Sequence, residues 1–274
     1  MTDYPSDTID LCEDVNSKIL DAAIYEDLVT LKQLMQCTEA DVNTQEEPVC
    51  TEFQNSVSES PEKGKGCGRT PLWWSVYNNN LTMVRFLLEQ PNINGGEYGK
   101  MEDSDIHSDV NFIYMKSHFL LTPLMIASID NNAVMVKLML TYPTFKRNIN
   151  QKSVPHLYTS LNYAANYAYQ EVVLALLSEP SVNVNAQTKS GWTPLRLAAW
   201  QGNVEIVSIL LRCNKTDITI QDSENKTALE VAKEKKEEAI SQQREDWYIE
   251  RLDDVIKLLE SRAAGQTPPG DPTC

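Results

Sequence analysis

The chain has 274 residues, of which 24 are Lys or Arg and 39 are Asp or Glu, and its formal net charge is −15. Binding to nucleic acid or to an anionic membrane surface needs a surplus of basic residues, so this composition argues against both. No stretch reaches the ~18 consecutive apolar residues of a membrane span. We therefore expect a folded protein that does not span a membrane, with a flexible acidic N-terminus over residues 1–16.

The cysteines are widely spaced and form no C-x-x-C pair, which argues against a zinc site and against a disulfide framework. Free thiols are typical of a reducing compartment, so the sequence predicts a cytoplasmic or nuclear protein. The six positions are Cys12, Cys37, Cys50, Cys67, Cys213 and Cys274.

The first predicted element is an amphipathic helix pair, SKILDAAIYEDLVTLKQLMQ, which begins at Ser17. Residues 43–68 follow it and are polar, with two prolines and with three glycines near their end. This composition predicts a long flexible insert rather than a packed element.

From residue 70 onward a Thr-Pro-Leu pattern recurs in intact or altered form. The threonine side chain caps a helix, the proline fits the first helical position, and the leucine begins an apolar face. A second helix follows each copy, with apolar residues three and four positions apart. The copies begin at Thr70, Thr122, Thr159, Thr193 and Thr227, at intervals of 52, 37, 34 and 34 residues.

Each predicted helix pair is joined by a short turn nine residues after its threonine. Asn79, Asn131 and Gly202 occupy this position in three copies, and these residue types tolerate the left-handed backbone conformation. Ala168 occupies it in the Thr159 copy, so we expect that unit to turn differently.

A second long insert covers residues 92–120. Its acidic part alternates Asp103, Asp105, His107 and Asp109, but lacks the glycine and the closing glutamate of a calcium loop. We expect a solvated loop there, and no metal site or cofactor. The later segment VNFIYMKSHF is apolar enough to pack as an extended finger.

The last unit delays its second apolar run, VIKLL, by about fourteen residues relative to the preceding copy. Lys and Glu are mixed along it, which indicates long exposed helices. One helical stripe is formed by Tyr248, Leu252, Val255, Ile256 and Leu259. We expect an elongated capping unit, followed by a disordered tail over residues 263–274.

The repeated pattern resembles the ankyrin repeat, a unit of about 33 residues. The stretch NVNAQTKSGWTPLRLAAWQGNVEIVSILL, residues 183–211, follows the family pattern almost throughout. The resemblance covers residues 17–262 and implies an all-α solenoid of helix–turn–helix units with hairpin-like fingers. It implies about six repeats, which begin near residues 17, 70, 122, 159, 193 and 227.

One departure from the family pattern is consistent along the chain. The family usually places a histidine after Thr-Pro-Leu, where it bonds the threonine. This chain has Trp73, Met125, Asn162, Arg196 and Glu230 there. The threonine–histidine network is therefore expected to be lost, and the repeats to be less rigid.

The resemblance also implies a concave face formed by finger tips and first helices, on which a partner protein binds. Large aromatic residues are frequent at the positions it nominates, and such residues often carry interface energy. The predicted partner-binding residues are Tyr25, Tyr77, Ile129, Tyr158, Tyr167, Trp192, Trp200 and Gln201. Alternatively, some of these rings pack on each other or on the fingers, which is our expectation for Trp73 and Trp74 within their helix.

The leading functional interpretation is a non-catalytic, intracellular interaction module that holds, masks or recruits a partner protein. The acidic surface favours a partner with a basic segment, and a monomer is expected. One alternative is a regulatory subunit that inhibits an enzyme or a transcription factor by occlusion. An alternative of another class is an enzyme or a metal-dependent effector that uses the insert over 92–120.

The resemblance raises one modification. Asn185 matches the finger asparagine that is hydroxylated in some ankyrin proteins. The alternative, which we favour, is that this side chain bonds the backbone of the turn.

Overall fold

The computed structural model describes residues 15–36, 40, 44, 70–90, 114–116, 119–153 and 156–266. These residues are mainly helical, as expected, and divide into two compact units, residues 1–126 and 127–274. No helix among them has the length and apolar character that crossing a membrane requires. The N-terminus up to residue 14, most of both inserts and the tail from residue 267 lie outside the described residues.

The first unit holds two helix pairs and a hairpin. The helices are α1 Val15–Ile24, α2 Leu28–Leu34, α3 Pro71–Tyr77 and α4 Leu81–Leu88, and the strands are β1 Tyr114–Lys116 and β2 Phe119–Leu121. Helix α1 packs on α2 and α3, and α3 packs on α4. The antiparallel strands pair Met115 with Leu120, which confirms an extended finger at the end of the second insert.

Helix α5, Pro123–Ile129, contains the division between the units. The second unit then continues with α6 Ala133–Met139, α7 Pro143–Arg147, α8 Ser160–Asn166, α9 Gln170–Leu177, α10 Pro194–Trp200, α11 Val204–Arg212, α12 Ala228–Ser241 and α13 Asp246–Ala263. Six helix pairs are therefore present in the described residues, as the repeat pattern predicts.

The second unit stacks its helices in two rows. In the row of first helices, α10 packs between α8 and α12, and in the row of second helices α6, α9, α11 and α13 pack in that order. The small residues Ala164, Ala198 and Ala199 are fully buried where the first helices meet. Their size lets neighbouring backbones approach closely, which the stack requires.

Threonine caps begin the first helices as predicted. In α3, α8, α10 and α12 the capping threonine side chain accepts a hydrogen bond from the backbone N–H three residues later. Thr122 accepts the same bond from Met125 at 3.2 Å. Trp73 and Trp74 are buried within the first unit, as expected.

Helix α7 is an element that the periodic pattern did not predict. It occupies the 37-residue interval between Thr122 and Thr159, which exceeds the next interval by three residues. Phe145 is fully buried from α7, and Ile149 is buried just after it. The extra residues therefore form a helical turn that adds to the core.

The capping unit is elongated, as predicted. Leu252, Val255, Ile256 and Leu259 are buried from α13. Two ion pairs join α12 to α13, Lys233–Glu260 at 2.7 Å and Lys236–Asp253 at 2.6 Å. The end of the stack is therefore covered by helices with charged side chains, as the end of a solenoid requires.

One cysteine differs from the expectation of free thiols. The buried Cys213, directly after α11, is disulfide-bonded. The five other cysteines lie outside the described residues.

The inter-helix turns share one backbone conformation, which corrects the expectation for Ala168. Its φ is +62°, against +57° for Asn79, +56° for Asn131 and +68° for Gly202. The turn of the Thr159 copy is therefore the same as the others, although its residue type is unfavourable. Packing of the flanking helices imposes the left-handed conformation at a cost of roughly 1 kcal/mol.

This shared conformation gives a paired prediction for the two turns. Ala168→Gly should raise the free energy of unfolding by about 0.5–1 kcal/mol, because glycine removes the strain and adds only a smaller entropic cost. Gly202→Ala should lower it by about 1 kcal/mol, although a Cβ there would only touch the side chains of Tyr248 and Leu252 at 3.4 Å. Urea unfolding measures both, and a loss of stability in Ala168→Gly would contradict the assignment.

Candidate protein-binding surface

Three fingers in the second unit precede α8, α10 and α12, and each is tied to the next by asparagine side chains. Asn150 donates to Ser181 O at 2.8 Å and accepts from Asn183 N at 2.6 Å. Asn185 repeats this arrangement one finger later, with Lys215 O at 2.8 Å and Asp217 N at 3.0 Å. Asn185 thus bonds the backbone of the next finger, and its hydroxylation stays a hypothesis.

The finger tips are also linked through their backbones. The N–H of Lys189 donates to His156 O at 2.9 Å, and the N–H of Ser223 donates to Ser190 O at 3.1 Å. These two bonds recur at the same spacing along the chain. The tips at residues 156, 189–190 and 223 are therefore joined in one continuous edge.

Each finger closes onto the residue that precedes the capping threonine. The side chains of Ser153, Thr188 and Asp222 accept the backbone N–H of Tyr158, Trp192 and Lys226, at 3.1, 3.1 and 3.0 Å respectively. Three successive repeats thus hold this position in the same geometry. It carries a ring in two repeats and a lysine in the capping unit.

The position after Thr-Pro-Leu still bonds the capping threonine in two repeats, which corrects the expectation that this bond is lost; lower rigidity of the repeats stays a prediction. Asn162 Oδ1 accepts from the backbone N–H and from the hydroxyl of Thr159, at 3.0 and 2.7 Å. Asn162 Nδ2 donates to Ala186 O in the next finger at 3.0 Å. Glu230 bonds both groups of Thr227 in the same way, at 2.7 and 2.8 Å.

Arg196 occupies the equivalent position in α10 and behaves differently. Its Nε and Nη2 atoms both lie 2.7 Å from Oδ2 of Asp222, in the finger of the capping unit. Both residues are buried, and Oδ1 of Asp222 accepts the backbone N–H groups of Glu224 and Lys226. The ion pair therefore replaces the threonine–histidine bond with a link between two repeats.

The charge states of this pair follow from its surroundings. Burial lowers the pKa of Arg196, and the hydrogen bond to Asp222 offsets part of that effect. Burial by itself raises the pKa of Asp222, but the N–H groups of Lys226 and Glu224 and the guanidinium of Arg196 outweigh it, and the pKa lies below its ordinary value. Asp222 is therefore ionised at neutral pH.

Trp192 and Trp200, two of the predicted partner-binding residues, both lie beside this arginine. Their ring centroids are 5.9 Å apart, and both rings are half-buried. The guanidinium carbon of Arg196 lies 3.5 Å from the centroid of Trp192. Lys235 Nζ of α12 lies 4.3 Å from the centroid of Trp200. The rings are therefore part of a packed cluster and remain partly open to solvent.

Tyr158 and Tyr167 extend this cluster toward α8. Tyr158 is half-buried, with its ring centroid 5.0 Å from that of the buried Tyr163. Burial raises the pKa of Tyr158, an effect to which Tyr167 adds and which Arg196 opposes. Tyr167 is 47% exposed, and its ring stacks on that of Tyr169 at 5.7 Å.

Gln201 and Ile129 complete the predicted set in the second unit. Gln201 is exposed, and its Nε2 lies 3.5 Å from Asn166 Oδ1 in the neighbouring repeat. Ile129 is half-buried at the end of α5. We define the ring surface as Tyr158, Tyr167, Trp192, Trp200 and Gln201.

The first unit presents the two other predicted residues. Tyr25 is 70% exposed in the turn after α1. Tyr77 is exposed as well, and its ring stacks on Trp73 with centroids 5.0 Å apart. Asn78 Nδ2 donates to Ile24 O at 3.0 Å, which fixes the end of α3 beside that turn. All eight predicted residues thus have solvent access, and their role in binding stays a prediction.

Sequence reasoning did not assign a role to Arg196, Asp222 or Lys235. A signal existed for the first two, because Arg196 and Asp222 place opposite charges at positions held by Asn162 and by Thr188 in other copies. No comparable signal marked Lys235, since it lies among many exposed lysines and glutamates. Its contact with Trp200 depends on how α12 packs against α10.

A shallow cavity of about 330 Å³ lies on the row of second helices, between α9 and α11. Its lining includes Gln170, Glu205, Ser208 and Arg212. In the part of the chain that the structure describes, no cluster of three or more metal-ligating side chains is found. The acidic alternation from Asp103 to Asp109 lies outside that part.

Comparisons with known proteins agree with this architecture. A family model described as "Ankyrin repeats (3 copies)" matches residues 101–188 and 161–242, and one described as "Ankyrin repeat" matches residues 67–95. The chain is similar to a solved ankyrin repeat protein, EF0377, with a TM-score of 0.60 and 20% identity over 89% of this chain and 96% of that one. At this identity the likeness concerns the fold alone.

Three curated proteins share shorter segments with the chain. The putative ankyrin repeat protein FPV031 of fowlpox virus is 35% identical over 41% of this chain and 33% of its own length. Human Rabankyrin-5 is 34% identical over 28% of this chain and 7% of its own length. Alpha-latrotoxin-Lh1a of Latrodectus hasselti is 41% identical over 21% of this chain and 4% of its own length. The matches thus span a third or less of each relative.

The buried ion pair gives a prediction for acid stability. The pKa of Asp222 is lowered in the folded chain, so its contribution is complete above the unfolded-state value of about 3.9 and is lost as pH falls through the folded-state value. Asp222→Asn should reduce the free energy of unfolding by about 3 kcal/mol at pH 7, with a smaller difference at pH 3. Urea unfolding between pH 7 and 3 measures this.

The control is Asp254→Asn, which removes an exposed ion pair with Lys257. That variant should change stability by less than about 0.5 kcal/mol at pH 7. A constant difference between the Asp222→Asn variant and the native protein over this pH range would contradict the role of the pair.

Proposed function

The chain belongs to the ankyrin repeat family, and we propose that it is a non-catalytic protein that binds a partner protein through its finger tips and first helices. Ankyrin repeats are generally protein–protein interaction modules. The observation that supports this proposal is the ring surface, where consecutive repeats present large aromatic side chains with solvent access. In the family this side of the repeat array is concave, and binding there is part of the proposal.

The rigidity of the ring surface supports binding by a preformed site. The backbone N–H groups of Tyr158 and Trp192 donate to side-chain oxygens of their own fingers. The guanidinium of Arg196 lies over the ring of Trp192. Aromatic side chains that are already ordered lose little conformational entropy on association. Such residues often dominate interface energy, with about 2 kcal/mol or more for a central anchor.

The shifted ionisable groups support a non-catalytic role. In the described residues, Asp27, Asp217, Glu230 and Glu238 have a lowered pKa because they accept hydrogen bonds within their own turn or helix. Asp222 bonds its own finger and Arg196. These bonds close turns and helix ends, so the shifts are explained by a role in the fold.

The chemistry of the partner follows from charge. The formal charge of −15 and the exposed carboxylates Glu224 and Glu234, whose charges act on Arg196, favour a partner with a basic segment. Such complementarity accelerates association more than it raises affinity. A monomeric state is part of this proposal, and size-exclusion chromatography with light scattering measures it.

The proposal predicts loss of capture when the ring surface is truncated. The full chain, immobilised, should retain a partner from an extract of the organism that encodes it, and Tyr167→Ala with Gln201→Ala should weaken retention about tenfold or more. These two residues are exposed, so the melting temperature should stay the same. Trp192→Ala is less suitable, because its ring covers Arg196.

The matched control is Trp247→Ala, which removes a ring that is 57% exposed in the capping unit. Its capture should equal that of the native chain. Equal loss of capture in both variants would indicate nonspecific binding through exposed aromatic side chains. Full capture by both variants would refute binding at the ring surface. The activity of the captured partner, measured with and without the chain, distinguishes occlusion from holding.

We also propose a cytoplasmic or nuclear location, which rests on the spacing of the cysteines and is opposed by the disulfide at Cys213. The two observations predict different redox states in the cell. Cells are quenched in acid, and the protein is denatured in the presence of N-ethylmaleimide, which alkylates free thiols. The peptide that contains Cys213 is then analysed by mass spectrometry. A maleimide adduct would support the location, whereas a disulfide-linked peptide would contradict it.

A further inference from the structure

The side chain of Arg196 does not serve its own helix. Its backbone N–H donates to Thr193 Oγ1 at 3.2 Å, but its guanidinium leaves the helix end and reaches the finger of the capping unit. In the neighbouring copies Asn162 and Glu230 return to their capping threonine. The side chain of Arg196 therefore bonds Asp222 and not the capping Thr193 of its own helix.

The guanidinium lies between a carboxylate and a ring. Two of its nitrogens bond Oδ2 of Asp222 at 2.7 Å, and its plane lies against Trp192 at 3.5 Å. Arg196 is only 5% exposed, although Trp192 and Trp200 on its outer side are half-buried. The cation is therefore an internal support, and a partner meets the rings above it.

The support determines which parts of Trp192 a partner can reach. The guanidinium covers one face of this half-buried ring, so a partner meets only the part that is open to solvent. Trp200 is tilted by 45° to Trp192, with the guanidinium carbon of Arg196 5.8 Å from its centroid. Arg196 lies over Trp192 and acts on Trp200 at longer range, where Lys235 Nζ is the nearer cation at 4.3 Å.

We propose that Arg196 is a positioning residue of the ring surface: through Asp222 it orients Trp192 and Trp200 for the partner. The inference rests on the proposed function, because the rings are taken to contact the partner. It adds that the finger of one repeat controls the binding side chains of the preceding repeat. An arginine is required, because only a planar guanidinium can stack on a ring and bond a carboxylate at the same time.

The first test needs no partner. The chain contains five tryptophans, so 5-fluorotryptophan labelling is expected to give five ¹⁹F NMR resonances, of which Trp192→Phe and Trp200→Phe assign two. Arg196→Lys keeps a charge opposite Asp222 but removes the planar stack. The resonances of Trp192 and Trp200 should shift, while those of Trp73, Trp74 and Trp247 should not.

A second variant covers the case in which Arg196→Lys does not fold. Arg196→Met combined with Asp222→Asn removes the whole ion pair without leaving a buried charge, and it should shift the same two resonances. Unchanged positions of both resonances in whichever variant folds would overturn the inference.

The second test uses the captured partner. Arg196→Lys should weaken its binding about tenfold, and more than Val207→Ala does. Val207 is fully buried in α11, so this control lowers stability while the ion pair of Arg196 and Asp222 is kept. Shifted resonances with binding no weaker than that of Val207→Ala would show that the partner does not use these rings, and would refute the positioning role. Failure of the proposed function is seen separately, as retained capture by the Tyr167→Ala and Gln201→Ala variant.

Discussion

The hydrogen bonds between successive fingers are the interaction on which the second unit depends. Backbone bonds within a finger close only its turn, as between Thr188 N–H and Trp192 O, so its other backbone polar groups need partners from the neighbouring repeat. Asn150 and Asn185 each supply a donor and an acceptor, and the tips add backbone bonds at Lys189 and Ser223. Because these bonds recur at the repeat spacing, each finger is positioned by the one before it, and so is the residue at its base.

One helical position carries three different tasks in three successive repeats. Asn162 and Glu230 bond the capping threonine of their own helix, and Asn162 also reaches the next finger. Arg196 instead bonds Asp222 and supports a ring. Breaking such a buried ion pair is costly, since it leaves one charge without compensation. The helix pair is thus retained in each repeat, while this one position makes different contacts.

The residues of the ring surface could be named from the sequence, but the degree to which each is exposed could not be predicted. The family pattern nominates Tyr158, Tyr167, Trp192 and Trp200, and each of them has solvent access. Their burial ranges from half-buried to exposed, because Arg196, Lys235 and Tyr169 pack against them. Trp192 is therefore a candidate partner contact that also packs in the fold. Within the ring surface, Tyr167 and Gln201 are exposed, so their truncation tests binding without a loss of packing.

The sequence by itself determined the helix pairs, their caps and their order, because these depend on residues a few positions apart: Thr193 caps α10 through local bonds, and apolar spacing selects the buried face. Only the tertiary structure decided the left-handed turn at Ala168, the extra helix α7 and the ion pair between Arg196 and Asp222. These features depend on the neighbouring helices and fingers, whose packing overrides a local preference or joins side chains 26 residues apart.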